Sequence, residues 1–135
     1  MKIKEWITHE VVTVEPEASV KKAFGLLKSM GIRHLPVVKN GKLYGIVTDR
    51  DLRRPKISDV FLEWDELYRI NEEIQVEDIM AAPAITISED STIQEAAQIM
   101  AHKRIGALPV TDNKGKLAGI ISESDILRAF ASGNK

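Results

Sequence analysis

The sequence predicts a mixed α/β protein of the α+β type, built from two β-α-β-β-α repeats. Three observations support this: an internal repeat spans nearly the whole chain, β-branched stretches alternate with segments of helical period, and each copy contains a hairpin signal. The 135 residues suit one compact domain or two small modules with a shared core. Hydrophobic residues at 44% and charged residues at 29% are typical of a globular protein and argue against disorder.

Two stretches of the chain match each other. Met30-Gly-Ile-Arg-His-Leu-Pro-Val37 aligns with Lys103-Arg-Ile-Gly-Ala-Leu-Pro-Val110, and the prolines lie 73 residues apart. One residue inserted in a later turn makes the separation 74, which pairs Gly45-Ile-Val-Thr-Asp-Arg-Asp-Leu52 with Gly119-Ile-Ile-Ser-Glu-Ser-Asp-Ile126. We therefore predict a duplication with pseudo-twofold symmetry, in which residues 1–56 form repeat 1, residues 57–75 a linker and residues 76–135 repeat 2.

Each repeat is predicted to begin with a short strand, Val11 to Val14 or Ala84 to Ile87, because these stretches are rich in β-branched residues. An amphipathic helix follows, with Ser19 or Thr92 one residue ahead of it as the N-cap. Apolar residues recur at helical spacing along one face of each helix: Val20, Ala23, Phe24 and Leu27 in repeat 1, and Ile93, Ala96, Ala97 and Met100 in repeat 2.

A hairpin is predicted after each helix. In repeat 1 the turn is Lys39-Asn-Gly41, because Asn-Gly tolerates the positive φ angles of a tight hairpin turn. In repeat 2 the turn is Asn113-Lys-Gly115. A short helix is expected to follow each hairpin, starting near Asp49 and near Glu123.

The linker differs from the repeats in charge. Residues 57–75 hold six acidic residues and one arginine, a net −5 within a chain of net −1, so the rest of the chain has a net +4. Ser58 is a predicted helix cap, and apolar residues follow it at helical spacing. We predict an amphipathic helix whose apolar side, with Trp64 and Tyr68, packs onto the chain's own repeats or forms a dimer contact.

Composition excludes several classes of protein. Without cysteine, the chain has no disulfide, thiolate zinc site, iron–sulfur cluster or cysteine nucleophile. The charged N-terminus lacks the apolar stretch of a secretory signal, and no apolar run approaches the ~20 residues that span a bilayer, so a cytoplasmic location is expected, without membrane association. The histidines His9, His34 and His102 have no metal-ligand spacing, and no metal site is predicted.

The sequence Gly-apolar-apolar-Thr/Ser-x-x-Asp occurs once in each repeat, ending at Asp51 and at Asp125. Capping alone explains it, because a hydroxyl and a carboxylate three residues later complete a capping box worth ~1 kcal/mol. The same residues also suit a nucleotide. Free N–H groups at a helix start bind phosphate or ribose oxygens, and one carboxylate can accept both hydroxyls of a ribose. The glycines at positions 45 and 119 would let a ligand or another backbone approach closely.

These motifs together resemble the CBS domain, which occurs in tandem pairs called Bateman modules. The resemblance rests on Thr13-Val14 and Thr86-Ile87, on the two Leu-Pro-Val strands and on the two Gly-to-Asp segments, and it covers nearly the whole chain. The acidic linker and Val76-Glu-Asp-Ile-Met80 are similar to CBS proteins of the acetoin-utilization type, without the ACT domain that longer members have.

The resemblance implies a regulatory protein that binds adenosine-containing ligands, such as AMP, ADP, ATP or S-adenosylmethionine, in clefts between the repeats. It also implies a homodimer and a regulated partner protein, with no obligatory cofactor. Asp51 and Asp125 would hold the ribose, and Thr48 and Ser122 would contact ribose or phosphate. The candidates beside the adenine are Thr13, Ile32, Thr86 and Ile105, with Pro36 and Pro109 on the Leu-Pro-Val strands.

The two copies differ in positive charge. Repeat 1 has Arg33 and His34 where family members often keep phosphate-binding residues, whereas repeat 2 has Gly106 and Ala107. Arg50 in the first motif is likewise replaced by a serine. We expect the phosphate-preferring pocket to depend on Arg33 and His34, although a solvated surface arginine remains an alternative interpretation.

No catalytic motif or candidate nucleophile is found, so an enzyme is not predicted. The main alternative is a constitutive protein-interaction module in which the duplicated motifs serve only as caps. Nucleic-acid binding has little support, because the basic cluster of Arg50, Arg53, Arg54 and Lys56 has no interleaved aromatic residues.

Overall fold

The computed structural model describes residues 1–53, 56–57, 60–61 and 74–133. Helices and small sheets are mixed along the chain, which confirms the α+β class. The chain divides into two compact units. One comprises Val12–Ala84 and is called the central unit; the other combines Met1–Val11 with Ile85–Lys135 and is called the terminal unit.

The central unit begins with helix α1, Val20–Met30. As predicted, the Ser19 hydroxyl caps this helix by accepting from the backbone N–H of Lys22 at 3.0 Å. The helix ends at Gly31, whose φ of 65° is left-handed and suits glycine. The four predicted core residues of α1 are all buried. They pack in a cluster that includes Leu35, Val37 and Val47.

A hairpin of strands β1 (His34–Lys39) and β2 (Lys42–Thr48) follows α1. Its turn is the predicted Asn40-Gly41, with φ values of 53° and 79°. The antiparallel register places His34 opposite Thr48 and Val37 opposite Gly45. The short helix α2, Asp49–Arg53, starts directly after β2, so the hairpin fixes the position of its N-terminus.

The first part of the linker differs from the predicted helix. Strands β3 (Lys56–Ile57) and β4 (Val60–Phe61) form a short antiparallel ladder. Isoleucine, valine and phenylalanine favour extended backbone, which here prevails over the helical spacing. Ser58, Trp64 and Tyr68 lie outside the described residues.

The terminal unit repeats the arrangement of the central unit. Strand β5 (Ile87–Ser88) pairs in parallel with β6 (Ala107–Thr111), which pairs antiparallel with β7 (Leu117–Ser122). Helix α3, Ile93–Lys103, has Thr92 as its predicted N-cap, and Glu95 completes a capping box. Helix α4, Glu123–Gly133, follows β7. In the central unit the strand predicted over Val11 to Val14 is reduced to one parallel bridge between Val14 and Val37.

Each unit also contains a short 3-10 turn that belongs, by sequence, to the other repeat. A 3-10 turn at Val76–Asp78 packs on the central unit, where the Val76 N–H donates to the Ala18 oxygen at 2.8 Å. A 3-10 turn at Ile3–Glu5 packs on the terminal unit, where the Ile3 N–H donates to the Ser91 oxygen at 3.0 Å. The two compact units therefore contain different stretches of the chain from the two repeats of the sequence.

The helices in the described part of the chain include none that is long and apolar enough to cross a membrane.

Candidate functional site

The Thr/Ser-x-x-Asp motif of the central unit lies at the junction between β2 and α2. The Thr48 N–H donates to Asp51 Oδ2 at 3.0 Å, and the Asp51 N–H donates to Thr48 Oγ1 at 3.1 Å. This reciprocal pair is a capping box. Both residues are half-buried. The capping role is therefore present, and it holds the carboxylate and the hydroxyl side by side at the start of α2.

The loop that precedes β1 adjoins this junction. The Asp49 N–H donates to the Arg33 oxygen at 2.9 Å, so the backbone of the loop is tied to the first residue of α2. The Arg33 and Arg50 side chains are exposed, whereas Ile32 and His34 are half-buried. The sequence-predicted cations Arg33 and Arg50 thus flank the helix start on which Thr48 and Asp51 lie.

Two other candidates of the central unit are associated with β1. Pro36 is buried in that strand, and its oxygen accepts from the Val14 N–H at 3.1 Å. Thr13, immediately before Val14, is exposed. This hydrogen bond holds the Thr13 backbone beside the strand that leads from the Arg33 loop.

The corresponding junction of the terminal unit joins β7 to α4. The Ser122 N–H and hydroxyl donate to Asp125 Oδ2 at 2.8 and 3.1 Å, and the Asp125 N–H lies 3.4 Å from Ser122 Oγ. Asp125 is only 4% exposed, and its Oδ1 also forms an ion pair with Arg128 Nη2. Both oxygens of the Asp125 carboxylate thus have partners, Oδ2 in Ser122 and Oδ1 in Arg128.

The loop before β6 follows the same backbone plan without its charges. The Glu123 N–H donates to the Gly106 oxygen at 3.0 Å, as Asp49 does to Arg33 in the other unit. Ala107 lies opposite Ser122 in the ladder. Ile105 is half-buried, Pro109 is buried and Thr86 is exposed. The positions that correspond to Arg33 and His34 therefore offer no cation to a phosphate.

The glycines of the two motifs admit another backbone. A Cβ atom on Gly45 would lie 2.6 Å from the Ala81 oxygen, and one on Gly119 would lie 2.6 Å from the Thr8 oxygen. Ile46 and Ala81 exchange two hydrogen bonds, as do Ile120 and Thr8. Of the two roles considered for these glycines, the structure thus shows close backbone approach.

The candidate residues separate by unit. The central unit contains Thr13, Ile32, Arg33, His34, Pro36, Thr48, Arg50 and Asp51, and the terminal unit contains Thr86, Ile105, Pro109, Ser122 and Asp125. Sequence reasoning did not identify Arg128, although its spacing of three residues from Asp125 on a helix was an available signal. Within the described ranges, His, Asp and Glu side chains form no cluster that could hold a metal ion.

Both repeats match a known protein family. The model of the CBS domain matches residues 3–56 and 76–132. The protein MJ1225 of Methanocaldococcus jannaschii is 34% identical over 131 residues, which are 96% of this chain and 47% of that protein. The chain thus spans about half the length of this relative.

Solved structures of CBS-domain pairs are also similar. The CBS pair of protein MJ0100, in complex with 5′-methylthioadenosine and S-adenosyl-L-methionine, matches with a TM-score of 0.79 at 27% identity, over 97% of this chain and 96% of that one. CBSX2 from Arabidopsis thaliana, in complex with AMP, matches with a TM-score of 0.78 at 25% identity, over 96% of each chain.

Proposed function

This chain belongs to the CBS domain family as a tandem pair, and we propose on that basis that it is a regulatory sensor of adenosine-containing ligands. The observation that carries the proposal is the hydroxyl–carboxylate pair held at the strand-to-helix junction of each unit. Similar CBS pairs bind AMP, or 5′-methylthioadenosine and S-adenosylmethionine. AMP, ADP, ATP and S-adenosylmethionine are therefore the candidate ligands.

We assign the ribose to the motif carboxylates and the phosphate to the cations of the central unit. Asp51 is half-buried and presents a second carboxylate oxygen beyond the one that accepts from Thr48. Arg33 and Arg50 are exposed next to the same helix start, where a guanidinium can donate two hydrogen bonds to a phosphate. The central unit is thus the better suited of the two to a phosphorylated ligand.

The proposed mechanism is linkage rather than catalysis. A ligand that binds one conformation or association state more tightly shifts the population toward it, by no more than its difference in affinity. We propose that the chain forms a homodimer and that occupancy changes its shape or association, which a regulated protein partner then detects. We assign no reaction to the chain itself and place it in the cytoplasm.

The test is titration of the protein with AMP and ATP by isothermal titration calorimetry. Arg33→Ala should weaken AMP and ATP binding about tenfold, because it removes a charge-assisted contact, and should leave adenosine binding unchanged. Asp51→Asn should weaken all three, since the ribose is common to them. Lys22→Ala, an exposed lysine of the same unit, is the matched control. Light scattering with and without AMP measures the expected dimer and any change in association.

The interaction-module alternative predicts a different result. A ligand that binds the native state adds about 2.7 kcal/mol to the free energy of unfolding at a concentration a hundredfold above Kd. The melting temperature therefore rises with ligand concentration. If AMP, ADP, ATP, NAD and S-adenosylmethionine all leave the melting temperature unchanged, the sensor function is contradicted and a ligand-free interaction module is favoured.

A further inference from the structure

We propose that two copies of this chain associate through the exposed side of α4, terminal unit to terminal unit, across a twofold axis. This side comprises Ser124, Leu127, Phe130 and Ala131 and is called the α4 face. The inference rests on the homodimer of the proposed function and adds which surface forms it. It also fixes the orientation of the two copies, because the matching segment of the other repeat has a different chemistry.

The α4 face is apolar at its centre although it lies on the outside of the terminal unit. The helix packs on its own unit through the opposite side, where Asp125 and Ala129 are buried. Leu127 and Phe130 are 67% and 70% exposed, more than any other large hydrophobic residue in the described part of the chain. Residues three apart share one side of a helix, so these two side chains form one patch. Apolar side chains grouped in this way mark a site of association.

The arrangement of this face fits a second copy of itself. A twofold axis that crosses α4 between Leu127 and Phe130 makes the two helices antiparallel and sets each leucine against the phenylalanine of the other copy. Ser124 and Ala131 flank the large residues, and their small side chains let the helices approach closely. The antiparallel direction also opposes the helix dipoles, with Glu123 of one copy toward the C-terminal end of the other α4.

The charges of the repeat alignment disfavour a head-to-tail arrangement. With the separation of 74 residues, Leu127 corresponds to Arg53 and Phe130 to Lys56, and Arg50 stands one turn earlier. If α4 packed on this segment of the other copy, its apolar patch would be buried against basic residues. Cations that lose solvent without an anion beside them carry a large desolvation cost. Packing of α4 on α4 avoids this cost and therefore favours the head-to-head arrangement.

Sedimentation equilibrium over a range of protein concentrations measures the dimer. Leu127→Glu and Phe130→Glu should each raise its dissociation constant about a hundredfold or more, because each substitution occurs twice across the axis, at the centre of the interface. Met30→Glu is the matched control, since Met30 is 54% exposed in the central unit, and it should leave the dissociation constant unchanged. A glutamate variant with a lowered melting temperature is replaced by the alanine variant at the same position, to which the same criterion applies.

Cross-linking tests the orientation of the copies. The chain has no cysteine, so a single introduced one reports on one position. Ala131→Cys should be joined to its own copy by a short bismaleimide, whereas Arg50→Cys, at another exposed position, should not. In an equal mixture of the two variants, the covalent dimers should contain Ala131→Cys alone. Covalent dimers that join the two variants, identified by mass, would show a head-to-tail arrangement and overturn the inference.

The remaining outcomes separate this inference from the proposed function. An unchanged dissociation constant in Leu127→Glu and Phe130→Glu would overturn the α4 face as the interface and leave the homodimer in place. A wild type that is monomeric at every concentration would overturn both the inference and the homodimer, and would leave the α4 face to a different protein. Calorimetric titration of the same proteins with AMP tests the sensor function separately, whichever surface forms the dimer.

Discussion

The backbone oxygens of Ala81 and Thr8 lie where a side chain on Gly45 or Gly119 would have to be. A methyl group at either glycine would be 2.6 Å from a carbonyl oxygen, and backbone cannot move aside as a flexible side chain can. We expect Gly45→Ala and Gly119→Ala each to lower the free energy of unfolding by about 1–3 kcal/mol, as for other overpacked sites. Chemical denaturation followed by circular dichroism measures the loss.

Gly25 supplies the control for these substitutions. It lies inside α1, is exposed, and has nothing within 4 Å of the position that an alanine methyl group would take. Gly25→Ala should raise stability by about 0.5–1 kcal/mol, because alanine restricts the unfolded chain and favours helix. If Gly45→Ala is as stable as the wild type, the bridge between Ile46 and Ala81 is not retained in solution.

The two interpretations of the Thr/Ser-x-x-Asp motif, helix capping and ligand binding, also depend on individual residues. The sequence alone places Thr48, Asp51, Ser122 and Asp125 at helix starts, because capping depends on residues three apart. It cannot distinguish the half-buried Asp51 from the 4% exposed Asp125, since that difference depends on the surrounding packing and on the Arg128 side chain.

Among the elements, the turn between β6 and β7 contains a titratable group with a structural role. Asp112 Oδ1 accepts from the N–H groups of Lys114 and Lys116, both at 2.9 Å. The hydrogen bond from Lys116, followed by that from Lys114, lowers the pKa of Asp112 below its usual value. A carboxyl group with a lowered folded-state pKa stabilises the fold above its unfolded pKa of about 3.9, and this contribution is lost as the pH falls through the folded value.

We therefore expect the wild type to lose stability below about pH 4 more steeply than Asp112→Asn, which does not titrate at this position. Thermal melts of both proteins across this pH range and up to neutrality provide the measurement. The two proteins share every other carboxylate, so the difference between their curves isolates Asp112. Parallel curves throughout this range would contradict the role of its carboxylate in the turn.

Elements defined by neighbouring residues could be predicted from the sequence. Ser19 and Thr92 cap their helices, and Asn40-Gly41 forms its turn, because each interaction spans only a few residues. The prediction of a helix at the start of the linker was wrong. There the β propensity of Ile57 and Val60 outweighs the helical spacing of the apolar residues, and these two residues pair in an antiparallel ladder.

At the scale of the whole molecule, the two 3-10 segments are the feature that sequence periodicity did not assign. Ile3-Lys-Glu-Trp-Ile7 and Val76-Glu-Asp-Ile-Met80 are themselves 73 residues apart, in the register of the repeat. Each segment could pack with the rest of its own repeat or with the other repeat, and no local rule distinguishes these two arrangements. The structure places residues 1–11 with residues 85–135, and residues 74–84 with the central unit, through long-range contacts.

This exchange of segments predicts which unit is destabilised when a buried side chain in either segment is truncated to alanine. Ile3 and Val76 are both completely buried, Ile3 in the core of the terminal unit and Val76 in that of the central unit. Ile3→Ala should cost about 2–5 kcal/mol and Val76→Ala about 1–3 kcal/mol. Hydrogen exchange should show loss of protection in α3, β6 and β7 for Ile3→Ala, and in α1, β1 and β2 for Val76→Ala.

The two variants act as controls for each other, because each removes a buried aliphatic group from an equivalent segment of the repeat. In the sequence Ile3 belongs to repeat 1 and Val76 to repeat 2, so packing of each residue with the rest of its own repeat would give the opposite pattern. Faster exchange in α1 with Ile3→Ala would therefore contradict the division into units. Equal loss of protection in both units from either variant would contradict it as well, since the two cores would then unfold as one.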